Sequence, residues 1–448
     1  MNSPDIAPGR LTPAEIERNF SDLHPPMSKS EALIAADRCY FCFAAPCTAA
    51  CPTGIDIPRF IQSIRSGDIE GSAYAILSEN IMGGMCARVC PTEVLCEEAC
   101  VRNLHEGKPV DIGLLQRHAT DPVLAASKQV FERAAPTGKR ICVVGGGPAA
   151  LSCAHRLAWL GHEVTVLSRD GKLGGLNEYG IAAYKTVDEF AQCEVEYILG
   201  IGGIEVRTGV ALGRDLSLAK LCREFDAVFL AVGLSGVNRL GIESEDLPGV
   251  VDGVEFIAEL RQAPDKSRLP VGRRIVVIGG GMTAIDVAVQ CRLLGAEDVT
   301  IVYRRGREQM GASRYEQDLA LSHGVRIRHW AKPVHLVGKD CVSRVEFECT
   351  REATGGSLEG TGETFAMNVD VVFKAIGQEI DWDALGASSA VLSVADGRIA
   401  VDARRRTSLD NVWAGGDCAA GGKDLTVTAV QDGKLAAQAI DDYLRPSG

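Results

Sequence analysis

The pattern of apolar and polar positions changes at about residue 135. Before that point there is no strand-like alternation, and apolar residues follow helical spacing. One predicted helix covers residues 28–37, where Ser28 followed by Glu31 matches a capping box. The polar stretch 132–139, which contains proline and glycine, is typical of a linker. The first part of the chain is therefore predicted to be a small helical domain.

After the linker, one pattern occurs twice, with the first glycines of its turns at positions 145 and 279. The apolar run from Arg140 and the apolar run from Arg274 each lead into three consecutive glycines. A helical run and then a second apolar run, at 164–167 and 299–303, follow in both copies. Strand, glycine turn, helix and strand form a βαβ unit, so two nucleotide-binding domains are predicted.

Both glycine turns fit the frame that holds a dinucleotide pyrophosphate. The frame needs glycine for a tight turn, glycine for close backbone approach and a small third residue, and the helix N-terminus then faces the phosphates. A turn made for packing alone is the alternative, but a strand precedes and a helix follows each match. The candidate residues are Gly145, Gly147, Pro148, Ala149 and Ala150 in the first unit and Gly279, Gly281, Thr283 and Ala284 in the second.

The residues after the second strand of each unit indicate which dinucleotide is bound. In the second unit, Arg304 and Arg305 stand where NAD-binding units carry an acidic residue for the ribose 2′-hydroxyl. Arginine suits a 2′-phosphate, which favours NADPH over NADH, although a solvated basic loop is the alternative. In the first unit, Ser168 stands where flavin-binding units usually carry Glu, so its hydroxyl or Asp170 is the candidate ribose contact.

Eight of the sixteen cysteines lie between Cys39 and Cys100 in two closely spaced quartets. Short gaps with Cys-Pro sequences are typical of iron–sulfur cubanes, so two clusters and single-electron transfer are predicted. Structural zinc in a docking or scaffold module is the alternative, although zinc sites favour two short pairs around a loop. By spacing alone the quartets are Cys39, Cys42, Cys47 and Cys51, then Cys86, Cys90, Cys96 and Cys100.

Composition narrows the class of protein further. A chain of 448 residues with 46 % hydrophobic residues suits two or three domains. The net charge of −12 argues against nonspecific binding to nucleic acid or anionic membranes, and no apolar run approaches the length of a membrane span. The first residues show no secretory signal, so a cytoplasmic protein with reduced thiols is expected. After Cys100 there is no C-x-x-C pair, which argues against disulfide reduction.

The order of cysteine segment, first unit and second unit, with a return to the first at the end, resembles one family. It is similar to the glutamate synthase small subunit and to the electron-input part of dihydropyrimidine dehydrogenase, and most similar to the bacterial dihydropyrimidine dehydrogenase input subunit. The stretches that carry the resemblance are the Cys39 to Cys51 spacing, Cys86 to Glu93, Asp111 to Gln116, Gly174 to Leu176, Trp413 to Asp417 and Gly433-Lys434.

The resemblance implies an α/β protein. A helical N-terminal iron–sulfur domain would precede two Rossmann-like dinucleotide-binding domains, the second inserted in the first. The implied segments are a double 4Fe–4S domain over 1–135, the first part of an FAD-binding domain over 136–235, an NAD(P)H-binding domain over 236–375 and the second part of the FAD-binding domain over 376–448.

The resemblance also implies the ligands of both clusters and further flavin contacts. One cluster would take Cys39, Cys42, Cys47 and Cys100, and the other Cys51, Cys90, Cys96 and Gln116, which leaves Cys86 without a ligand role. Further FAD contacts would be Gly175, Leu176, Gly233, Gly416 and Asp417, and alignment places Lys185 facing the flavin ring. A simple turn is the alternative for Gly415 to Asp417.

The expected function is that of an NAD(P)H oxidoreductase subunit without a catalytic side chain, because the cofactors carry the hydride and the electrons. The sequence ends at Gly448 without a barrel that would bind FMN. The resemblance therefore implies that electrons pass through FAD and two 4Fe–4S clusters to a separate FMN-containing, pyrimidine-binding subunit that reduces uracil or thymine. A glutamate synthase small subunit, or a related NADPH:acceptor oxidoreductase, is the alternative, with a different acceptor.

Overall fold

The computed structural model describes residues 5–445 and divides them into two compact units. We call residues 24–178, 188–236 and 379–445 the cysteine-bearing unit, and residues 5–23, 179–187 and 237–378 the inserted unit. Residues 1–4, on which the absence of a secretory signal partly depends, lie outside the described residues. Within the described range, none of the helices combines the length and the apolar character that crossing a membrane requires.

Sixteen α-helices are found among residues 5–445. They are α1 (Pro13–Asn19), α2 (Lys29–Asp37), α3 (Pro46–Ala50), α4 (Ile57–Ser66), α5 (Ile69–Leu77), α6 (Gly83–Val89), α7 (Val101–Glu106), α8 (Ile112–Ala125), α9 (Pro148–Trp159), α10 (Leu176–Tyr179), α11 (Phe190–Leu199), α12 (Leu218–Glu224), α13 (Gly253–Gln262), α14 (Met282–Leu293), α15 (Arg314–Ser322) and α16 (Thr426–Leu444).

Seventeen strands occur in the same range. They are β1 (Arg140–Val144), β2 (Glu163–Ser168), β3 (Ile204–Thr208), β4 (Ala227–Leu230), β5 (Gly236–Val237), β6 (Val250–Asp252), β7 (Arg274–Gly279), β8 (Asp298–Tyr303), β9 (Arg326–His329), β10 (Ala331–Gly338), β11 (Val342–Glu352), β12 (Leu358–Asn368), β13 (Val371–Ala375), β14 (Gln378–Glu379), β15 (Val394–Ala395), β16 (Arg398–Ile399) and β17 (Val412–Ala414).

The cysteine-bearing unit begins with the helices α2 to α8, as the absence of strand alternation predicted. Ser28 and Glu31 form the predicted capping box at the start of α2. The buried core of this helical part contains Phe60, Ile61 and Leu115, and half-buried cysteines pack against it. The cysteines are therefore part of the packing of this helical core.

The rest of the cysteine-bearing unit is a five-stranded parallel sheet in the order β17-β4-β1-β2-β3. Val143 in β1 pairs with Val166 in β2 and with Phe229 in β4, and all three side chains are buried. The last strand and α16 come from the C-terminal part of the chain, so the chain returns to this sheet after building the inserted unit. This return is the predicted nesting of one dinucleotide-binding domain in the other.

The inserted unit contains a second five-stranded parallel sheet in the order β6-β13-β7-β8-β9. The strands β7 and β8 with α14 repeat β1, β2 and α9, which confirms the internal repeat. A three-stranded antiparallel sheet, β10-β11-β12, shares a buried core with the parallel sheet. The sequence pattern did not predict this antiparallel sheet.

Residues 5–23 pack within the inserted unit. Ala7 bridges Val271, and Asn19 Nδ2 donates to the Leu293 carbonyl at 2.9 Å. Ile16 and Phe20 of this segment belong to the buried core of that unit. The implied boundaries group these residues with the cluster domain, whereas the structure groups them with the second dinucleotide-binding domain.

Candidate dinucleotide and cluster sites

The first glycine turn follows β1 and meets a second glycine stretch. Gly145 has a φ of +123°, and a Cβ there would overlap the Ala231 carbonyl, so only glycine fits. Gly174 N donates to the Gly146 carbonyl at 2.7 Å, and a Cβ on Gly175 would lie 2.6 Å from Gly147 Cα. The structure thus brings the predicted flavin turn and the Gly175 stretch together.

The predicted ribose contact also lies at this turn. Ser168 ends β2 and is buried, and its Oγ would lie 2.9 Å from a Cβ on Gly146. The same hydroxyl accepts from Asp170 N at 3.3 Å. Ser168 is therefore next to the glycine turn, with Asp170 held close behind it, as the two alternatives for this contact require.

The turn after β17 approaches the start of α9. A Cβ on Gly416 would lie 3.0 Å from Ala149 Cβ, and Gly416 N donates to Asp432 Oδ2 at 3.0 Å. Burial and the nearby Asp424 raise the pKa of Asp417 to about 7, although Arg398 opposes the shift. A carboxyl group that changes its protonation state near physiological pH thus follows Gly416, which lies beside the first glycine turn.

The remaining first-unit candidates surround the same place. Pro148 and Ala150 lie in the first turn of α9, and Leu176 starts α10 directly after Gly175. Gly233 has a φ of +64° and follows Ala231, which touches Gly145. All predicted contacts of the first unit are therefore grouped around one turn.

Unpartnered polar groups indicate that this region is built for a ligand. The 19-residue helix α16 begins without a side-chain cap, and the buried oxygens Thr428 Oγ1 and Gln431 Oε1 near its start have no hydrogen-bond partner. The helix α9 also begins at a glycine without a side-chain cap. Uncapped helix N-termini favour phosphate and other anionic groups, so these residues fit a dinucleotide such as FAD.

The second glycine turn repeats the geometry of the first. A Cβ on Gly279 would overlap the Ala375 carbonyl, as one on Gly145 would overlap the Ala231 carbonyl. Ala312 N donates to the Gly280 carbonyl at 3.0 Å, which repeats the Gly174 to Gly146 hydrogen bond. Gly281 stands before the uncapped helix α14, whose first turn contains Thr283 and Ala284. These residues fit a second dinucleotide.

The two arginines after β8 are placed differently. Arg304 is exposed, and its guanidinium has no ion pair or hydrogen bond with any residue in the described range. Arg305 Nη1 donates at 3.2 Å to the Gly356 carbonyl, which lies in the turn between β11 and β12. Arg304 is therefore the arginine that is free to meet a ligand.

Four cysteines of the helical part line one pocket. They share it with apolar residues such as Ile57 and Ile61, and burial raises the pKa of the Cys47 thiol to about 11. A buried thiol of this kind becomes a thiolate when a metal compensates its charge. The four are Cys39, Cys42, Cys47 and Cys100.

The other cysteines meet at α6. A hydrogen bond with Cys86 and burial raise the pKa of the Cys90 thiol. The nearby thiols of Cys96 and Cys51 act in the same direction. The second candidate for the fourth ligand, Gln116, donates from Nε2 to the Gly83 carbonyl at 2.6 Å. Its Oε1 is the atom that could ligate iron.

Both Cys86 and Gln116 are thus brought to α6, and the choice between them stays a prediction. In residues 5–445, no group of three or more His, Cys, Asp or Glu side chains is arranged to hold a single metal ion.

Three contacts join the helical part that carries the cysteines to α10, α11 and α16 of the same unit. We call these three helices the flavin-side elements, because they follow or adjoin the predicted FAD contacts. Asn177 Nδ2 lies 3.6 Å from Met82 Sδ, just before α6. Lys434 Nζ of α16 donates to the Thr53 carbonyl at 2.7 Å, and Glu194 of α11 accepts from the start of α6. The sequence analysis missed Glu194, because a helical glutamate is normally a surface residue.

Lys185 is paired with two buried carboxylates. Its Nζ is 2.7 Å from Asp286 Oδ1 and 2.8 Å from Glu316 Oε1, within the inserted unit. The Tyr184 hydroxyl is 3.2 Å from the same Asp286 oxygen. Lys185 therefore forms buried ion pairs with two carboxylates, and its placement facing the flavin stays a prediction.

Two protein families match the chain. The family described as pyridine nucleotide-disulphide oxidoreductase matches residues 139–433. The family described as dihydropyrimidine dehydrogenase domain II, 4Fe-4S cluster, matches residues 16–128. The second match supports iron–sulfur clusters over zinc for the cysteine segment.

Curated relatives match almost the whole length of the chain. The NAD-dependent dihydropyrimidine dehydrogenase subunit PreT of Salmonella typhimurium strain LT2 is 33 % identical over 429 residues, which cover 96 % of this chain and 98 % of PreT. The NADPH glutamate synthase small chain of Escherichia coli K12 is 33 % identical over 458 residues, covering 95 % and 94 % of the two chains.

Solved structures share the fold. FprA of Mycobacterium tuberculosis, solved in complex with NADPH, matches with a TM-score of 0.59 at 20 % identity and covers 68 % of this chain and 84 % of FprA. Thioredoxin reductase of T. acidophilum matches with a TM-score of 0.54 at 21 % identity, covering 68 % and 100 %. The chain therefore belongs to the pyridine nucleotide-disulphide oxidoreductase family and carries a 4Fe-4S cluster domain, and PreT and the glutamate synthase small chain are among its relatives.

Proposed function

We propose that this chain is the NAD(P)H-oxidising subunit of a dihydropyrimidine dehydrogenase. It would pass electrons from NAD(P)H through FAD and two 4Fe–4S clusters to a separate subunit that carries FMN and reduces uracil or thymine. The observation that carries this proposal is the placement of the cysteine segment and the first dinucleotide turn in one compact unit. The match to PreT along 96 % of the chain supports the same acceptor class.

The side chains and backbone of the cysteine-bearing unit would bind and orient FAD. The turn from Gly145 to Gly147 admits the pyrophosphate, and the N-terminus of α9 faces its charge. Ser168 or Asp170 would hold the adenosine ribose, and Asp417 the ribityl or pyrophosphate region. When bound, FAD supplies the conversion of a hydride pair into single electrons.

The two cluster sites are proposed to differ in their distance from the flavin. The second set, Cys51, Cys90, Cys96 and Gln116, lies on segments that touch Asn177, Glu194 and Lys434 in the flavin-side elements. The first set, Cys39, Cys42, Cys47 and Cys100, lines a pocket among α4, α7 and the loop before α3. Electrons would therefore reach the second cluster first and leave from the first.

We propose NADPH as the preferred coenzyme. Arg304 supports it, because an exposed guanidinium without a protein partner can bind a 2′-phosphate through charge-assisted hydrogen bonds. The names of the relatives point in both directions, since PreT is NAD-dependent and the glutamate synthase small chain uses NADPH. The proposed thiolate ligands require reduced cysteines, which supports our proposal that the protein is cytoplasmic.

A glutamate synthase small subunit is the second candidate, favoured by 33 % identity along 95 % of the chain. The two candidates share every cofactor and differ in the acceptor. Anaerobic affinity purification of the tagged chain from its own host separates them. Copurification of an FMN-containing subunit, with uracil reduction by the complex, is expected. A large amidotransferase subunit in its place, or uracil reduction by the isolated chain, would overturn the proposal.

A further inference from the structure

The three consecutive arginines 404–406 do not form one basic patch, because each has a different partner. Arg404 pairs with Asp442 at the surface. Arg406 donates to the Asp410 carbonyl at 2.6 Å. Arg405 turns inward, and its Nη2 lies 2.6 Å from Oδ1 of the fully buried Asp432. The middle arginine is therefore half-buried and pairs with a buried carboxyl group, whereas its two neighbours have partners at the surface.

Arg405 holds the turn after β17 from two sides. Its carbonyl accepts from Ala414 N at 2.9 Å, at the end of the strand. Through its side chain it holds Asp432, whose other oxygen, Oδ2, accepts from Gly416 N at 3.0 Å. Arg405 itself has a φ of +62°, a conformation that non-glycine residues adopt mainly where the surrounding structure requires it.

Asp432 lies where α16 is closest to α9. A Cβ on the next residue, Gly433, would overlap the Ala149 carbonyl in the first turn of α9. Ser152 Oγ of α9 donates to the Val430 carbonyl at 2.7 Å. The Arg405–Asp432 pair therefore lies at the junction of the three elements that carry the proposed FAD contacts, namely α9, α16 and the turn after β17.

We propose that Arg405 is a positioning residue for FAD, acting through Asp432 to fix the Gly416 N–H and thereby the turn that presents Asp417 to the cofactor. This inference rests on the proposed FAD site. It predicts that the role of Arg405 depends on keeping Asp432 ionised, since a carboxylate accepts from a backbone N–H more strongly than a neutral carboxyl group does.

The charges around Asp432 allow a pH-dependent test. Burial raises the pKa of Asp432, and Arg405 opposes that shift. Asp417 faces the same region, and its pKa depends on Asp424 and Arg398, which pair with each other at 2.8 Å. Without Arg405, Asp432 would lose the cation that opposes the rise of its pKa, and it would take up a proton at a higher pH.

The test is the dissociation constant for FAD, measured from pH 6 to pH 9 on apoprotein prepared from the full chain. Arg405→Gln is expected to weaken FAD binding by about tenfold, because it weakens the hydrogen bond from Gly416 N to the Asp432 carboxylate. The loss should grow as the pH falls, because Asp432 then becomes protonated. Arg404→Gln, the matched control from the same run, should follow the wild-type profile.

Two further variants separate positioning from folding. Arg405→Lys keeps the positive charge and should restore the wild-type pH profile with an intermediate affinity. Arg405→Gln combined with Asp432→Asn removes both charges and should lose the extra pH dependence. The inference is wrong if the wild-type chain binds FAD and Arg405→Gln binds it equally well at every pH. It is also wrong if the variant's affinity for FAD is lower by the same factor at every pH. If wild-type chain takes up no FAD, the proposed function fails as well.

Discussion

Glu194 Oε1 accepts hydrogen bonds from Gly84 N at 2.9 Å and from Met85 N at 3.0 Å. The carboxyl group is fully buried, and its Oε2 has no hydrogen-bond partner. These bonds join α11, which follows the flavin stretch, to the first turn of α6, which leads to Cys90. A Cβ on Gly84 would lie 2.5 Å from the Phe190 ring and 2.9 Å from Glu194 Oε1, so a side chain there would displace both groups. One buried carboxyl group thus fixes the cluster segment to the dinucleotide-binding part.

Replacing Glu194 with alanine should destabilise this junction. Two buried N–H groups would lose their acceptor, at a cost of about 1–3 kcal/mol each. We expect a lower melting temperature and a lower iron content after anaerobic purification. Glu196→Ala changes an exposed residue of the same helix and should behave as wild type. Equal iron content and stability in both variants would contradict this role.

The same carboxyl group should make stability depend on pH. Burial raises the pKa of Glu194 to about 8, although the N–H groups of Met85 and Gly84 and the Arg88 charge oppose the shift. The folded state therefore stays protonated where the unfolded chain ionises. The stabilising contribution is fully present below about pH 4.5 and is lost as the pH rises to about 8.

Glu194→Gln tests that sign. Glutamine keeps an acceptor oxygen for both N–H groups and cannot ionise. Relative to wild type, the variant should gain stability progressively between pH 5 and pH 8, as measured by melting temperature. Melting curves that shift with pH in parallel for the two proteins would show that Glu194 does not titrate in this range.

Lys185→Met should cost stability, and its visible spectrum tests whether this lysine faces the flavin. The substitution leaves Asp286 and Glu316 without their shared cation, which in a buried site costs about 3–5 kcal/mol. Lys332→Met breaks an ion pair with Glu348 at the surface of the same unit and should cost about 0–1 kcal/mol. Melting temperature and the visible spectrum report the two effects. A changed flavin spectrum in Lys185→Met would support the alignment-based placement of this lysine, and an unchanged spectrum would contradict it.

The fourth ligand of the second cluster can be assigned by iron analysis. If Gln116 is the ligand, Cys86→Ser should retain about eight iron atoms per chain, as two cubanes require, and Gln116→Leu about four. Both residues are buried near α6, so folding should be followed by circular dichroism in parallel. The reverse pattern of iron loss would assign Cys86 instead.

Coenzyme choice should depend mainly on Arg304. Arg304→Gln is expected to raise the KM for NADPH about tenfold or more, which is the value of a charged hydrogen bond, and to leave the KM for NADH unchanged. Arg305→Gln should have a smaller effect, because that guanidinium already donates to Gly356. Equal effects on NADPH and NADH would show that Arg304 does not read the 2′-phosphate.

The repeated strand, glycine turn and helix could be predicted from sequence because each feature is local. The conformations that Gly145 and Gly279 adopt are possible only for glycine, and the apolar strands before them are buried. The Ser28 capping box is local for the same reason. Such features depend on residues within a few positions of each other, so their pattern survives in a single sequence.

The residues that the sequence analysis missed are polar groups buried by distant parts of the chain. Glu194 and Asp432 occupy helices, where charged residues are usually exposed, and their partners lie elsewhere in the sequence. Arg405 is the middle residue of three consecutive arginines, and nothing in the sequence distinguishes it from its two neighbours. The packing of residues 5–23 on the inserted unit was equally unpredictable, since an apolar face does not reveal which surface will cover it.

The most direct test of the central claim is an anaerobic absorption titration of the purified wild-type chain with NADPH and then with NADH. We predict a brown protein whose flavin bands bleach on addition of NADPH, followed by loss of the broad iron–sulfur absorption as electrons pass to the clusters. A colourless protein, or flavin and cluster bands that neither coenzyme bleaches, would contradict an electron-input function.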